Sequence, residues 1–247
     1  MVRNFKICLQ YEGSRYQGWQ KQERTENTIQ GKLEAILNKL TGKTVSVHGS
    51  GRTDAGVHAY GQIANFCIDT ELSSAAVMDY INRYLPEDIA VIAIEEVDQR
   101  FHSRLQAKGK TYCYRVLNSE IRHIFDRRYV LPVPEPLDVK AMEEAAGYLV
   151  GTHDYKAFTS AKKGKKSTVR TIYDINIVQD GAELCFTFYG NGFLYHMIRI
   201  IMGTLLEVGA HQKRPEEINA ILASGKRENA GPLVPAQGLA LMEVHYS

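Results

Sequence analysis

The stretch TIYDINIVQDGAELCFTFYG, residues 171–190, settles which kind of sheet this chain builds. It reads as two strands, TIYDINIV and LCFTFYG, separated by QDG, a hairpin signal. Strands joined so closely run antiparallel. Working backwards, TYCYRVL at 111–117 is a further strand with Tyr112, Tyr114 and Val116 on one face. EPLDVKAMEEAAGYLVG, 135–151, is a helix that turns Val139, Met142, Ala146 and Leu149 inward. Working forwards, a long helix is expected from about Leu194 to Val208, a short one from Pro215, and a closing strand at LALMEVHY.

The first hundred residues follow the same plan. FKICLQY, 5–11, alternates Phe5, Ile7, Leu9 and Tyr11, the pattern of a half-buried strand. Asn27 and Gln30 have the spacing of a helix capping box, ahead of a stripe of Ile29, Leu33, Ile36, Leu37 and Leu40. KTVSVHG, GQIANFCI and DIAVIAIEEV read as strands, and Ser74 as the cap of a helix that Pro86 stops. Strand and helix order therefore predicts an α+β fold of two split βαβ (ferredoxin-like) halves, 1–105 and 106–247. Each has an antiparallel sheet with helices on one face.

The composition is that of an ordinary globular chain: 247 residues, 44% hydrophobic, 23% charged, net charge +2. Cys8, Cys67, Cys113 and Cys185 are far apart and form no CxxC, which suits reduced, strand-borne thiols better than disulfides or a zinc site. The opening residues pass straight into a strand pattern, so no signal peptide is expected. The apolar run GFLYHMIRIIMGTLLEVG is too short for a membrane span and carries His196 and Arg199. A cytoplasmic location is the default expectation.

Charge is gathered locally. No acid stands between Asp98 and Glu120, an interval holding Arg100, Arg104, Lys108, Lys110 and Arg115. None stands between Asp154 and Asp174, which brackets Lys156, Lys162, Lys163, Lys165, Lys166 and Arg170. Such blocks either form a solvated face or bind phosphates. The nearby Tyr112, Tyr114, Tyr155 and Phe158 favour RNA, because unstacked bases need flat partners. Arg199 is the one fully charged side chain between Phe193 and Leu206. On so apolar a helix it is expected to be largely buried and to need an acceptor. The candidates are a structural partner, Glu207 or Asp174, and Asp54.

Asp54 is the single acid of HGSGRTDAGVHAYGQ, 48–62, among Gly49, Gly51, Gly56 and Gly61. The run is neither GxGxxG, since Asp54 stands where the third glycine belongs, nor a P-loop, since no GK[ST] follows. His58 reads as a loop or packing residue. A tight turn and a nucleophile raised on a loop both fit Asp54.

GSGRTDAGVHAYGQ closely resembles the signature of the TruA family, the tRNA pseudouridine synthases A. YEGSRYQGWQKQ, TIQGKLE, FHSRLQAKGKTYCYRV, NGFLYHMIRIIMGTLLEVG and PAQGLALMEVHY fit as well, in family order and over nearly the whole chain. The resemblance implies an isomerase that turns uridine into pseudouridine at positions 38, 39 and 40 of the tRNA anticodon stem-loop. It implies no metal and no organic cofactor. Asp54 would be the catalytic acid and Arg199 the arginine that pairs with it. Tyr112 would stack on the target base, and Arg52 would open the helix or hold the flipped nucleotide. Lys162, Lys163, Lys165, Lys166, Arg104 and Lys110 are the candidates for gripping RNA. A homodimer and a positively charged cleft between the two halves are further implications. The rivals are a non-catalytic RNA-binding module, which has no need of Asp54, and a glycoside hydrolase, which would need a second carboxylate.

Overall fold

The structure is a computed structural model describing residues 1–161 and 167–247. It divides into two compact units. One is Met1–Lys108 with Ala240–Ser247, and the other is Gly109–Leu239.

In the first unit the sheet order is β4 (Ile89–Val97), β1 (Val2–Tyr11), β3 (His58–Asp69), β10 (Leu239–His245). β1 is antiparallel to both β3 and β4, while β10 lies parallel to β3 through Ala240 and Leu241. The period-two pattern of β1 puts Phe5, Ile7, Leu9 and Tyr11 into the core with Ala64, Phe66 and Ile68 of β3. Helices α1 (Ile29–Thr41) and α2 (Ser74–Tyr84) pack together, and α2 packs on β4. On the other face, buried Asn4 donates from Nδ2 to the carbonyls of Asp98 and Phe101, at 3.0 and 3.1 Å. Asn65 donates to Asn4 Oδ1 and accepts from the Ser103 amide. This chain of amides fastens residues 98–103 to the sheet.

Three local readings shift. The α1 cap is Thr28, whose side chain accepts from the Gly31 amide, rather than Asn27. Asn27 spends its side chain on the Arg15 carbonyl. The α2 cap is Ser73, one residue before Ser74. KTVSVHG is a strand only at β2, His48–Gly49. Upstream, Val45 N donates to Asn38 Oδ1 and Val47 N to Glu34 Oε1. Side chains of α1 satisfy that backbone in place of a ladder.

In the second unit the order is β5 (Gly109–Asn118), β9 (Glu183–Gly190), β8 (Val169–Asp180), β7 (Gly151–Asp154), all antiparallel neighbours. β6 (Leu131–Val133) adds parallel to β5. The expected hairpin is β8–β9, turned by Gly181 at φ 58°. Tyr112, Tyr114, Val116, Leu184, Phe186 and Phe188 fill the buried face. Helix α3 (Val139–Leu149) packs on β8 and on α4 (Met197–Gly209), and α5 (Glu217–Ser224) follows.

Helix α4 meets its neighbour backbone to backbone. A Cβ on Gly203 would stand 1.9 Å from the Pro232 carbonyl oxygen, and one on Gly231 would stand 2.5 Å from Thr204 N. Thr204 Oγ1 accepts from the Gly231 amide at 2.9 Å and donates to Ile200 O. Gly203→Ala is therefore expected to destabilise the protein by about 1–3 kcal/mol or more, because no flexible side chain is there to yield. Urea unfolding of the variant measures this.

Candidate active site

Asp54 lies in the segment between β2 and β3, partly exposed, next to buried Thr53 and between exposed Arg52 and Ala55. The segment is held from below. Ser50 N donates to Ile63 O at 2.7 Å, and Ser50 Oγ donates to Gln62 Oε1 at 2.7 Å. Gln62 Nε2 donates to the Gly51 carbonyl at 3.1 Å and reaches Tyr11 Oη at 3.4 Å. Tyr11 Oη lies 2.8 Å from Thr53 Oγ1. Having accepted from Gln62, it has its own hydrogen to give to Thr53. Ser50, Gln62, Tyr11 and Thr53 are all at least 94% buried. An orphaned member would cost about 1–3 kcal/mol, so the set closes on one arrangement.

The stretch after β1 clasps the same loop. Trp19 N donates to Thr53 O at 3.0 Å, and Gly56 N to Tyr16 O at 3.3 Å. Gly18 has φ +85°, and a Cβ there would lie 2.5 Å from Thr53 O. A Cβ on Gly13 would lie 2.0 Å from Val57 O. Only glycine permits these approaches. His58 is 3% exposed, and its Nδ1 accepts from the Gly13 amide at 3.0 Å, the packing role expected of it. With Nδ1 accepting, the nearby Glu12 Oε1 at 3.5 Å is a neighbour rather than a partner of that nitrogen.

Arg52 is exposed, and its Nε donates to Gln20 Oε1 at 2.8 Å. Gln20 in turn donates to Gln30, and Gln30 to Glu34 of α1. Arg52 is thus tied through Gln20 to α1. Sequence reading missed Tyr11, Trp19, Gln20 and Gln62. The one available signal was their presence in YEGSRYQGWQKQ and at the end of GSGRTDAGVHAYGQ.

In the second unit, Tyr112 is 7% exposed and meets Phe193 edge to face, with centroids 5.3 Å apart and an interplanar angle of 84°. Arg199 is half-buried on α4. Its Nε donates to the Val234 carbonyl at 2.8 Å. Of its candidate partners, Glu207 stands 3.4 Å from Lys213, and Asp174 is exposed on β8. Tyr114 donates to Pro235 O at 2.7 Å, and burial holds its phenol above the ordinary range, opposed in part by the Arg199 charge. His196 opens α4 at φ 65°, an uncommon conformation for a residue with a Cβ. Of the basic candidates, Arg104 is exposed beside the amide-fastened segment and Lys110 is half-buried on β5. Lys162, Lys163, Lys165 and Lys166 lie outside the described residues. Among the described residues no three His, Cys, Asp or Glu side chains gather as a metal site, and no helix is long and apolar enough to cross a membrane.

A family model described as tRNA pseudouridine synthase matches residues 7–106 and 145–247, which take in Arg52, Asp54, Arg104 and Arg199. The chain belongs to the tRNA pseudouridine synthase family. Similar proteins include tRNA pseudouridine synthase A 2 of Bacillus cereus, 43% identical, and tRNA pseudouridine synthase A 1 of Clostridium tetani, 44% identical. Tyr112 and Lys110 fall between the two matched stretches. Both relatives nonetheless align over 245 residues, 99% of this chain and 100% of their own length. For this member of the family, the buried frame beneath Asp54 is the part that fixes the loop.

Burial pushes the Tyr11 phenol up to about 12. The folded protein therefore keeps a proton that the unfolded chain loses above its ordinary value of about 10. Stability contributed by Tyr11 is complete below pH ~10 and is lost as pH rises towards 12. Tyr11→Phe is expected to lower stability at neutral pH and to make the alkaline decline shallower. Urea midpoints measured from pH ~8 to ~11 check both.

Proposed function

We propose that this protein converts uridine to pseudouridine in the anticodon stem-loop of tRNA, at positions 38, 39 and 40, with Asp54 as the nucleophile. The observation that carries the reading is Asp54 itself, a partly exposed carboxylate on a loop that buried, hydrogen-bonded Thr53 and Ser50 tie to the sheet. A turn needs no such foundation, whereas a group that must meet a reacting atom does.

The reaction is an isomerisation. The N1–C1′ bond breaks, the uracil turns while held, C5 joins C1′, and C5 gives up its proton as N1 gains one. No oxidant and no added water enter the product. A carboxylate can open this sequence by attacking the sugar or the ring and leaving again when the new bond forms. The target nucleotide must leave its stack to reach such a loop. Arg52, exposed on the same segment, is suited to hold the opened strand through its phosphates. The roles of Tyr112 as a flat partner for the uracil and Arg199 as a cation for the carboxylate belong to the same proposal. So do Arg104, Lys110 and the four lysines at 162–166 as phosphate-binding groups, a homodimer, and action in the cytoplasm.

Asp54→Asn is expected to reduce tritium release from C5-tritiated tRNA by at least a thousandfold while leaving tRNA affinity within a few-fold. Loss of binding with the fold intact would favour the RNA-binding module, and free uracil among the products would favour a hydrolase. Replacing Lys162, Lys163, Lys165 and Lys166 with Ala is expected to weaken tRNA binding and flatten its dependence on salt, by up to about one unit of logarithmic slope for each phosphate no longer neutralised. Filter binding across a salt series reads this.

A further inference from the structure

Cys113 of β5 and Cys185 of β9 sit on the same face of adjacent antiparallel strands. The register pairs Cys113 with Thr187 and Arg115 with Cys185, so the two cysteines are diagonal neighbours. Their sulfurs are 2.6 Å apart, although 72 residues of chain separate them. Both side chains point away from the face filled by Tyr112, Tyr114, Phe186 and Phe188. Their immediate company is Thr187 and the ion pair of Arg115 with Glu183, where Arg115 Nη2 lies 2.9 Å from Glu183 Oε2. Cys113 is buried, whereas Cys185 is half-exposed and within reach of small solutes.

We propose that Cys113 and Cys185 form a peroxide-reactive dithiol that closes reversibly to a cross-strand disulfide, with Cys185 as the attacking sulfur. The division of labour follows from the surroundings. The thiol proton shared by the pair stays with the more buried Cys113. Cys185, accepting from it and from the Thr187 hydroxyl, is drawn down to about 7. A thiol of that acidity is substantially thiolate at neutral pH and keeps good nucleophilicity.

The chemistry balances with hydrogen peroxide as the oxidant. The Cys185 thiolate attacks one peroxide oxygen, the O–O bond breaks, and hydroxide leaves and is protonated to water. Cys185 is then a sulfenic acid. Cys113 attacks its sulfur, the S–S bond forms, and the hydroxyl departs as a second water, taking the Cys113 proton. Two thiols have lost two electrons and two protons, and one peroxide has become two waters. A dithiol reductant reopens the bond by thiol–disulfide exchange.

The test is thiol counting and peptide mapping of the folded protein. Hydrogen peroxide at a few equivalents is expected to reduce the four free thiols to two, remove two hydrogens from the intact mass, and yield a Cys113–Cys185 linked peptide that dithiothreitol abolishes. A Cys8→Ser/Cys67→Ser variant should behave identically, since neither residue takes part. Cys113→Ser should divert the same oxidation to sulfenic and then sulfinic acid on Cys185. Retention of four thiols, a linked peptide containing Cys8 or Cys67, or sulfinic acid on wild-type Cys185 forming as fast as in Cys113→Ser would each overturn the proposal.

Discussion

One buried junction governs the shape of the Asp54 loop: the hydroxyl of Tyr11 between Gln62 and Thr53. Gln62 uses its amide oxygen for Ser50 and its amide nitrogen for Tyr11 and Gly51, so it cannot flip without breaking the set. Tyr11 sits at the end of β1, and Gln62 sits within β3 next to it. The loop therefore inherits its coordinates from the sheet, although its own residues are rich in glycine. That resolves the tension between a flexible composition and a carboxylate needing a fixed address. Gly13 and Gly18 serve close approach, since a Cβ on either would strike the Val57 or Thr53 carbonyl.

The elements carried by a regular hydrophobic period were legible in the sequence. The β8–β9 hairpin, the stripe of α1 and the alternation of β1 all fall where apolar residues recur, because burial depends on face rather than on exact partner. The family too was legible, since RTDAGVHA and its companions are contiguous strings. What escaped reading was polar and long-range. Thr28 displaced Asn27 as a cap because Asn27 found the Arg15 carbonyl, and KTVSVHG is strand only at its end because Asn38 and Glu34 of α1 satisfied its amides. The partner of Tyr11 is 42 residues away at Thr53 and 51 away at Gln62, distances over which no local pattern speaks.

Arg199 shows the limit of burial logic. Its helix is buried around most of its circumference, and its neighbours on the chain suggested that the side chain is largely buried. The side chain is half-buried, and its Nε donates to a backbone carbonyl. That carbonyl belongs to Val234, in the segment pressed on α4 through Gly203 and Gly231. The acceptor for Nε is thus set by backbone packing, which sequence does not announce.

The last strand has a consequence for how the protein is made. β10 lies alongside β3, and its His245 carbonyl receives the Lys108 amide while Tyr246 caps Ser103 O. A ribosome synthesises the first hundred residues long before residue 240 exists. For that interval the nascent unit displays β3 at His58 and Ala59 without its parallel neighbour, a stretch of open edge able to pair with another chain.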